Sequence, residues 1–410
     1  MQFRHAHAAH TDWAEATRQC LAQLEAQAAS GDYERHANLG FLYVTEPLQP
    51  NLDEILATLK SRTGIPNWVG SSGVGICAIG VEYIDEPALS VMLGHFTPGS
   101  VNVFSGTQRP PTLGTRTDSG AQAAFTALVH ADPATLDVPE LVLDMAGKLE
   151  SEYLFGGLSS GRQGTRQIAD RALSGGLSGA VFSSEVQLVS RVSQGAHPLP
   201  GARRHEVTKA SANVIQELDG RPAFDVLLED AGIRERAAML SGDDVPREDF
   251  ARIRQQLLAL GRRGLFVGIE PDGAGGYHER TPRIDYVIRH VVALDPGKGT
   301  IAVGAAMEEG QQLRFCTRDE SAARKDLIRI CSEIRDHIDE HHNPETRSRA
   351  KGAVYVSCVG RGSHMFGEQS EELRVIRHHL GDVPLVGFYA SGEIGGRNLY
   401  GYTGVLTVFY

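Results

Sequence analysis

The segment Val386-Gly387-Phe388-Tyr389-Ala390-Ser391-Gly392-Glu393-Ile394-Gly395 decides how the chain is read. An apolar and aromatic run suited to a buried strand ends in Ser and Gly, which let the backbone turn away. The pattern recurs at Val69-Gly70-Ser71-Ser72-Gly73-Val74-Gly75 and at Phe155-Gly156-Gly157-Leu158-Ser159-Ser160-Gly161. Three strand exits of one kind, set among helical patterns, point to sheets covered by helices.

Upstream of the first exit, Phe3 to His7 alternates like a strand, and Asp12 with Glu15 three residues later reads as a capping box opening an Ala-rich helix to about Ala29. Leu39 to Val44 reads as a buried strand. Asn51, Asp53 and Glu54 then open a helix with Leu52, Ile55, Leu56 and Leu59 on one face. Strands are expected at Ala88 to Leu93 and Val101 to Phe104, helices at Ala121 to His130 and Pro139 to Leu149, and strand spacing from Gly179 to Val192. His205 to Thr208 and Val214 to Leu218 read as strands ahead of the Asp219-Gly220 turn, and Pro222 suits the first turn of a helix.

The second half predicts helices at Arg247 to Leu260, Glu320 to His341 and Glu368 to Leu380. Strands are expected at Leu265 to Ile269, Tyr286 to Leu294, Ala353 to Cys358, Leu385 to Tyr389 and Tyr402 to Phe409, with a loop from Val359 to Gly367. The fold class is therefore α/β, two domains of mixed β-sheets covered by helices, with the boundary near the turn: residues 1–220 and 221–410.

Length and charge set the outer limits. With 410 residues, 41% hydrophobic and 22% charged, the chain can bury ordinary cores without metal or disulfide staples. The net charge of −11 disfavours a nucleic-acid partner. Five scattered cysteines without a CxxC pair argue against a disulfide framework or zinc knuckle and for a reducing compartment. No apolar leader follows Met1, and the longest uncharged stretch, Asn67 to Val81, falls short of the roughly 20 apolar residues of a membrane span. A cytoplasmic protein without membrane insertion is expected.

Each Gly/Ser exit has two readings: a tight turn, or a cradle of outward N–H groups and hydroxyls for an anion. None matches the dinucleotide fingerprint or the P-loop, so nucleotide binding is not indicated. Arg361, between Gly360 and Gly362, suits a carboxylate; Glu393 beside Gly392 suits an ammonium group. Together they would hold an amino-acid zwitterion, or they bond to each other or to backbone and brace two loops. The ligand set read from the sequence is Arg361, Gly362, Ser391, Gly392, Glu393, Ser71 and Ser72, with Tyr402 and Phe388 assigned to the core.

Other chemistry is weaker. His337, His341 and His342 have metal-ligand spacing but charged neighbours that mark a solvated helix end, and His5, His7 and His10 read the same way. Cys358, at a strand end before Gly360-Arg361, is either a nucleophile activated by Arg361 or His364 or a small buried hydrophobe. No base and orienter complete a catalytic set, so no catalytic residue is assigned.

Several ordered blocks resemble one family. Cys358-Val359-Gly360-Arg361-Gly362 through Met365-Phe366-Gly367, then Glu371 or Glu372, Pro384-Leu385-Val386-Gly387-Phe388, Gly392-Glu393-Ile394-Gly395 and Gly401-Tyr402-Thr403 resemble the FIST C-terminal domain. Tyr286-Val287-Ile288-Arg289 and Glu308-Glu309-Gly310 through Arg314-Phe315 fit it too. Val207-Thr208-Lys209, Asn213-Val214-Ile215, Glu217-Leu218-Asp219-Gly220 and Pro222-Ala223 resemble the junction of the paired FIST domains. Trp68-Val69-Gly70-Ser71-Ser72-Gly73 and Phe155-Gly156-Gly157-Leu158 extend the likeness into the N-terminal half, where Gly73-Val74-Gly75-Ile76 replaces the family's Gly-Glu-Ile step. The resemblance implies a sensory module for small ligands, amino acids or related metabolites, acting through a protein partner. Some relatives are haem proteins that sense nitric oxide and regulate a histidine kinase. A haem alternative needs an axial ligand in an apolar slot, for which His95 and His364 stand nearest apolar neighbours; without a CxxCH motif the haem would not be covalent.

Overall fold

Gly70, Gly156 and Gly387 sit in mid-strand, and at each a Cβ would lie 1.7 to 1.9 Å from a carbonyl oxygen of the parallel neighbour: that of Leu42, Val129 or Tyr355. No side chain fits there, so the three glycines are required by close strand approach. A computed structural model of the chain describes residues 2–106, 124–233, 255–261, 264–270, 286–341 and 349–410. It forms two units, Met1–Gln194 with Arg324–Tyr410, and Gly195–Ala323.

Among the described residues the first unit contains three six-stranded sheets that repeat one plan. Each is centred on a parallel pair: Leu39–Thr45 with Asn67–Gly73, Thr126–Ala131 with Tyr153–Leu158, and Gly352–Cys358 with Leu385–Ala390. The first strand of each pair is flanked by an antiparallel strand, Ala88–Gly94, Leu177–Phe182 or Thr403–Phe409. Beyond that strand lies an edge strand, Arg4–Ala9, Val101–Gly106 or Leu188–Gln194.

The second strand of each pair hands its following hairpin to another sheet. Gly75–Ala78, which follows Asn67–Gly73, pairs with Leu385–Ala390. Gly392–Gly396, which follows Leu385–Ala390, pairs with Tyr153–Leu158. Gln167–Ala169, which follows Tyr153–Leu158, pairs with Asn67–Gly73. The exchange closes a ring of three quasi-equivalent repeats.

Inner faces meet in an apolar core that includes Phe41, Leu128, Phe155, Val354, Val386 and Phe409. Helices cover the outer faces. Trp13–Ala28 buries Ala16, Cys20, Leu21 and Leu24 at helical spacing, Leu52–Thr63 buries Leu52, Ile55, Leu56 and Leu59, and Val138–Ala146 buries Val142 and Met145.

The second unit lies within the third repeat's sequence, between the edge strand Leu188–Gln194 and the helix Glu320–Glu340. Six of its strands pair in a closed circuit: His205–Ser211, Val214–Leu218, Thr300–Val303, Val287–Asp295, Leu265–Ile269 and Gln312–Arg318. Closure leaves none of the six as a bare edge. Helix Ala223–Asp230 sends Val226 and Leu227 into this unit's core.

The α/β expectation with mixed sheets holds, and several local readings change. Thr126–Ala131 is a strand, against the helix that the sequence suggests over Ala121 to His130, of which residues 121–123 lie outside the described residues. It is buried on both faces between two strands, so its apolar run has no alternation to separate it from a helix. Ser71, Ser72 and Gly73 belong to a strand, and so does Gly392–Gly396; only Ser159 to Gly164 is an irregular loop. The Val359 to Gly367 loop contains a short helix, Ser363–Phe366. Asp12 caps Ala14 N at 3.0 Å, but Glu15 turns to Arg18 and Gln19 and His10 Nδ1 takes the Asp12 N–H, so the box is half made. Of the helix expected over Arg247 to Leu260, residues 255–260 are helical and 247–254 lie outside the described residues.

A cut at residue 220 runs through the second unit and, in two of the three exchanges, separates a hairpin of the first from the strand that receives it. Residues 1–220 alone lack every strand of the third parallel pair. Expressed by themselves they are expected to show no cooperative urea transition in near-ultraviolet circular dichroism, whereas the full chain shows one.

Candidate ligand site

In open α/β sheets ligands collect beyond the carboxyl ends of parallel strands, and here three such ends converge through the hairpin exchange. The Gly/Ser segments bond to one another directly. Ser71 Oγ lies 2.7 Å from Ser159 Oγ, Val74 N donates to Ser160 Oγ at 3.0 Å, Ser160 Oγ donates to the Tyr389 carbonyl, and Ser391 N donates to the Leu158 carbonyl at 3.0 Å. Alongside them Tyr43 Oη lies 3.1 Å from His130 Nε2, and Ser178 Oγ donates to Gln167 Oε1 at 2.8 Å. The inner face is therefore apolar lower down and polar at the strand ends.

His130 is fully buried, which depresses its pKa to about 3, and its Nδ1 has no hydrogen-bond partner. Glu393 is the more consequential group. Its Oε2 accepts from Thr403 N at 3.0 Å and Thr403 Oγ1 at 2.9 Å, while its Oε1 is buried without a hydrogen-bond partner. Burial pushes its pKa up to about 8, against the Thr403 bonds, the neighbouring Cys358 thiol and the field of Arg361. The Cys358 thiol is a weak hydrogen-bonding neighbour of the carboxyl, and no donor meets Oε1 in good geometry. Near neutral pH the group therefore carries a proton for much of the time.

Quasi-symmetry supplies an internal control. Glu393 pairs in register with Gly157, the residue after Gly156; its counterparts are Gln167, paired with Ser71, and Ile76, paired with Phe388. The fold accepts an amide or an alkyl chain at this position, so a buried carboxyl is not what the architecture demands.

Arg361 is fully buried and engaged elsewhere. Its Nε donates to Glu372 Oε1 at 2.7 Å, its terminal nitrogens reach the Ser193 carbonyl at 3.3 Å and Ser193 Oγ at 3.4 Å, and its guanidinium carbon lies 5.2 Å from the Phe366 ring centroid. Glu372 also accepts from Tyr355 Oη at 2.6 Å, Ser357 Oγ at 3.1 and 3.2 Å, and Gly362 N at 3.2 Å. Arg361 and Glu393 therefore interact through field only. Nearby, Glu82 accepts from Ser370 N at 2.9 Å and from the Tyr389 hydroxyl.

Of the residues read from the sequence, Ser71, Ser72, Arg361, Gly362, Gly392 and Glu393 are buried and Ser391 is exposed. Ser72 is tied to Arg166, its N–H donating to the Arg166 carbonyl at 2.8 Å and its Oγ accepting from Arg166 N at 2.9 Å. His95 and His364 are exposed, so neither stands in the apolar slot that an axial haem ligand needs. His337 bonds Tyr410 Oη at 3.2 Å and its ring lies tilted 4.2 Å from that of His341; His342 lies outside the described residues. Among the described residues no group of three His, Cys, Asp or Glu side chains is placed to hold a metal ion. Cys358 is buried and its pKa is raised to about 12, mainly by desolvation, which makes it a poor thiolate. No helix among the described residues is long and apolar enough to cross a membrane. Sequence reasoning missed Tyr43, His130 and Glu82; the one signal for His130 was an imidazole inside the apolar run Leu128-Val129-His130-Ala131.

Family profiles match nearly the whole chain: the FIST N domain matches residues 38–221 and the FIST C domain residues 223–396. The chain belongs to the FIST family. FIST domains are small-ligand sensory domains of signal transduction. The two FIST segments meet at Pro222, just after the Asp219-Gly220 turn and inside the second compact unit, so the family segments and the spatial units divide the chain differently. An uncharacterized protein of Mycobacterium tuberculosis is 31% identical over 371 residues, covering 87% of both chains. An uncharacterized protein of Mycobacterium bovis is likewise 31% identical over 371 residues, covering 87% of this FIST chain and 86% of the relative.

Two outcomes follow from the buried charges. Arg361→Ala leaves Glu372 an uncompensated buried carboxylate and should lower unfolding free energy by ~3–5 kcal/mol in urea titrations. Glu393 holds its proton in the folded state and releases it in the unfolded state between pH 4.5 and about 8. Its contribution to stability therefore falls as pH rises through that window and levels off above it. Glu393→Gln should remove that component of the slope, measured as urea midpoint against pH.

Proposed function

We propose that this FIST protein binds a small metabolite bearing an ammonium group, an amino acid or close relative, where the three strand ends converge. Its occupancy passes to a protein partner, of which a histidine kinase is the family's example. The observation that carries the reading is Glu393: a fully buried carboxyl with one oxygen unpartnered, at a position where the two quasi-equivalent repeats hold Gln167 and Ile76. An ammonium donor would satisfy Oε1 and favour the ionised carboxylate. Buried Ser hydroxyls and backbone N–H groups of the Gly/Ser segments supply the polar surroundings; Arg361, held by Glu372, contributes charge at a distance.

The reading is tested with the twenty amino acids in a thermal-shift panel on the full chain. A ligand at 100 times its Kd stabilises by ~2.7 kcal/mol, a clear rise in Tm. One or a few amino acids should produce it in wild type and not in Glu393→Gln. Binding at pH 7 should also release protons, seen as calorimetric heats that vary with buffer ionisation enthalpy. An equal shift in Glu393→Gln, or no shift with any amino acid, overturns the reading.

A further inference from the structure

His205, in the second unit, is buried with both ring nitrogens on carboxylates: Nδ1 lies 2.6 Å from Asp219 Oδ2 and Nε2 lies 2.9 Å from Asp230 Oδ2. A neutral imidazole has one N–H, so only the imidazolium can donate to both. The three residues belong to different elements. His205 opens the strand His205–Ser211, Asp219 sits in the turn after Val214–Leu218, and Asp230 ends the helix Ala223–Asp230, where a cation also meets the helix dipole favourably.

We propose that His205 is a proton-dependent latch of the second unit, tying strand, turn and helix end together when protonated and freeing one of its two carboxylate contacts when it loses the proton. The charged groups around it are arranged to keep the cation. Asp219 and Asp230 face it directly, and Asp219 is itself held by Glu206 N at 2.9 Å and by the nearby charge of Arg221. Arg221 and Arg203 are drawn instead to Glu229, at 2.9 and 3.0 Å. The remaining neighbour, Phe315, offers its ring at 6.2 Å between centroids. Burial opposes the charge, but the two aspartates outweigh it and the imidazole pKa is raised above 6.5.

The sign follows from that direction. The latch contributes fully below the unfolded value near 6.5 and is lost as pH rises through the folded value. Asp230, which is buried, is the worse carboxylate to leave without its partner.

The test is a nuclear magnetic resonance titration of the His205 ring in the full-length chain, joined to amide exchange of residues 205–231 corrected for intrinsic base catalysis. The imidazole should titrate above 6.5, and exchange in that segment should accelerate across the same pH range. Asp219→Asn, at a partly exposed position, should lower the titration midpoint by ~1 unit and move the exchange transition with it. Asp230→Asn is the second variant, and if it fails to fold the Asp219→Asn result still decides. A His205 midpoint at or below 6.5, or exchange in residues 205–231 that ignores pH, overturns the proposal.

Discussion

The contact between a strand glycine and the carbonyl of its parallel neighbour, made at Gly70, Gly156 and Gly387, is the constraint on which the first unit is built. It lets each parallel pair close tightly and deliver its second strand to the meeting point of the three sheets. There the chain leaves as a hairpin and completes another sheet. Each sheet thus contains a hairpin that follows a strand of a different sheet, and none of the three is finished without the others. The exchange also brings N-terminal and C-terminal Gly/Ser segments into direct hydrogen bonding.

Placing the convergence inside the unit has an electrostatic consequence. Arg361, Glu372, Glu82, Glu393 and His130 are all buried there or on the adjoining outer face of the third sheet. Such groups cost several kcal/mol each unless paired or neutralised. Arg361 and Glu372 are paired, Glu82 is hydrogen-bonded, and His130 is held neutral. Glu393 keeps a proton and an unpartnered oxygen instead. Like His130 Nδ1 it is a buried polar group left without a partner, and at this position the other two repeats hold an amide or an alkyl chain.

Much of this was legible in residues close together in the chain. The strands 385–390 and 352–358, the helix faces of 13–28 and 52–63, and the turn at Asp219-Gly220 follow from periodicity and turn chemistry. The strand 126–131 did not, because a strand buried on both faces loses its alternation. Glycines at 70, 156 and 387 were visible as turn formers, but their role as mid-strand close contacts was not. The type and setting of Glu393 mark it as an ammonium acceptor, whereas Arg361, which carries the matching signal for a carboxylate ligand, is taken up by Glu372.

By itself the sequence determined the α/β class, the three recurring Gly/Ser exits and the family, since these rest on spacing among neighbours and on residue types that no other can replace. The tertiary structure alone decided which sheet receives each hairpin, that the second unit interrupts the third repeat, and that Glu393 keeps a free oxygen. The reason is separation along the chain: Ser71 meets Ser159 across 88 positions and Glu82 meets Tyr389 across 307. No local pattern encodes a partner at that distance, and burial, which sets the charge state of Glu393 and His130, exists only once those partners have met.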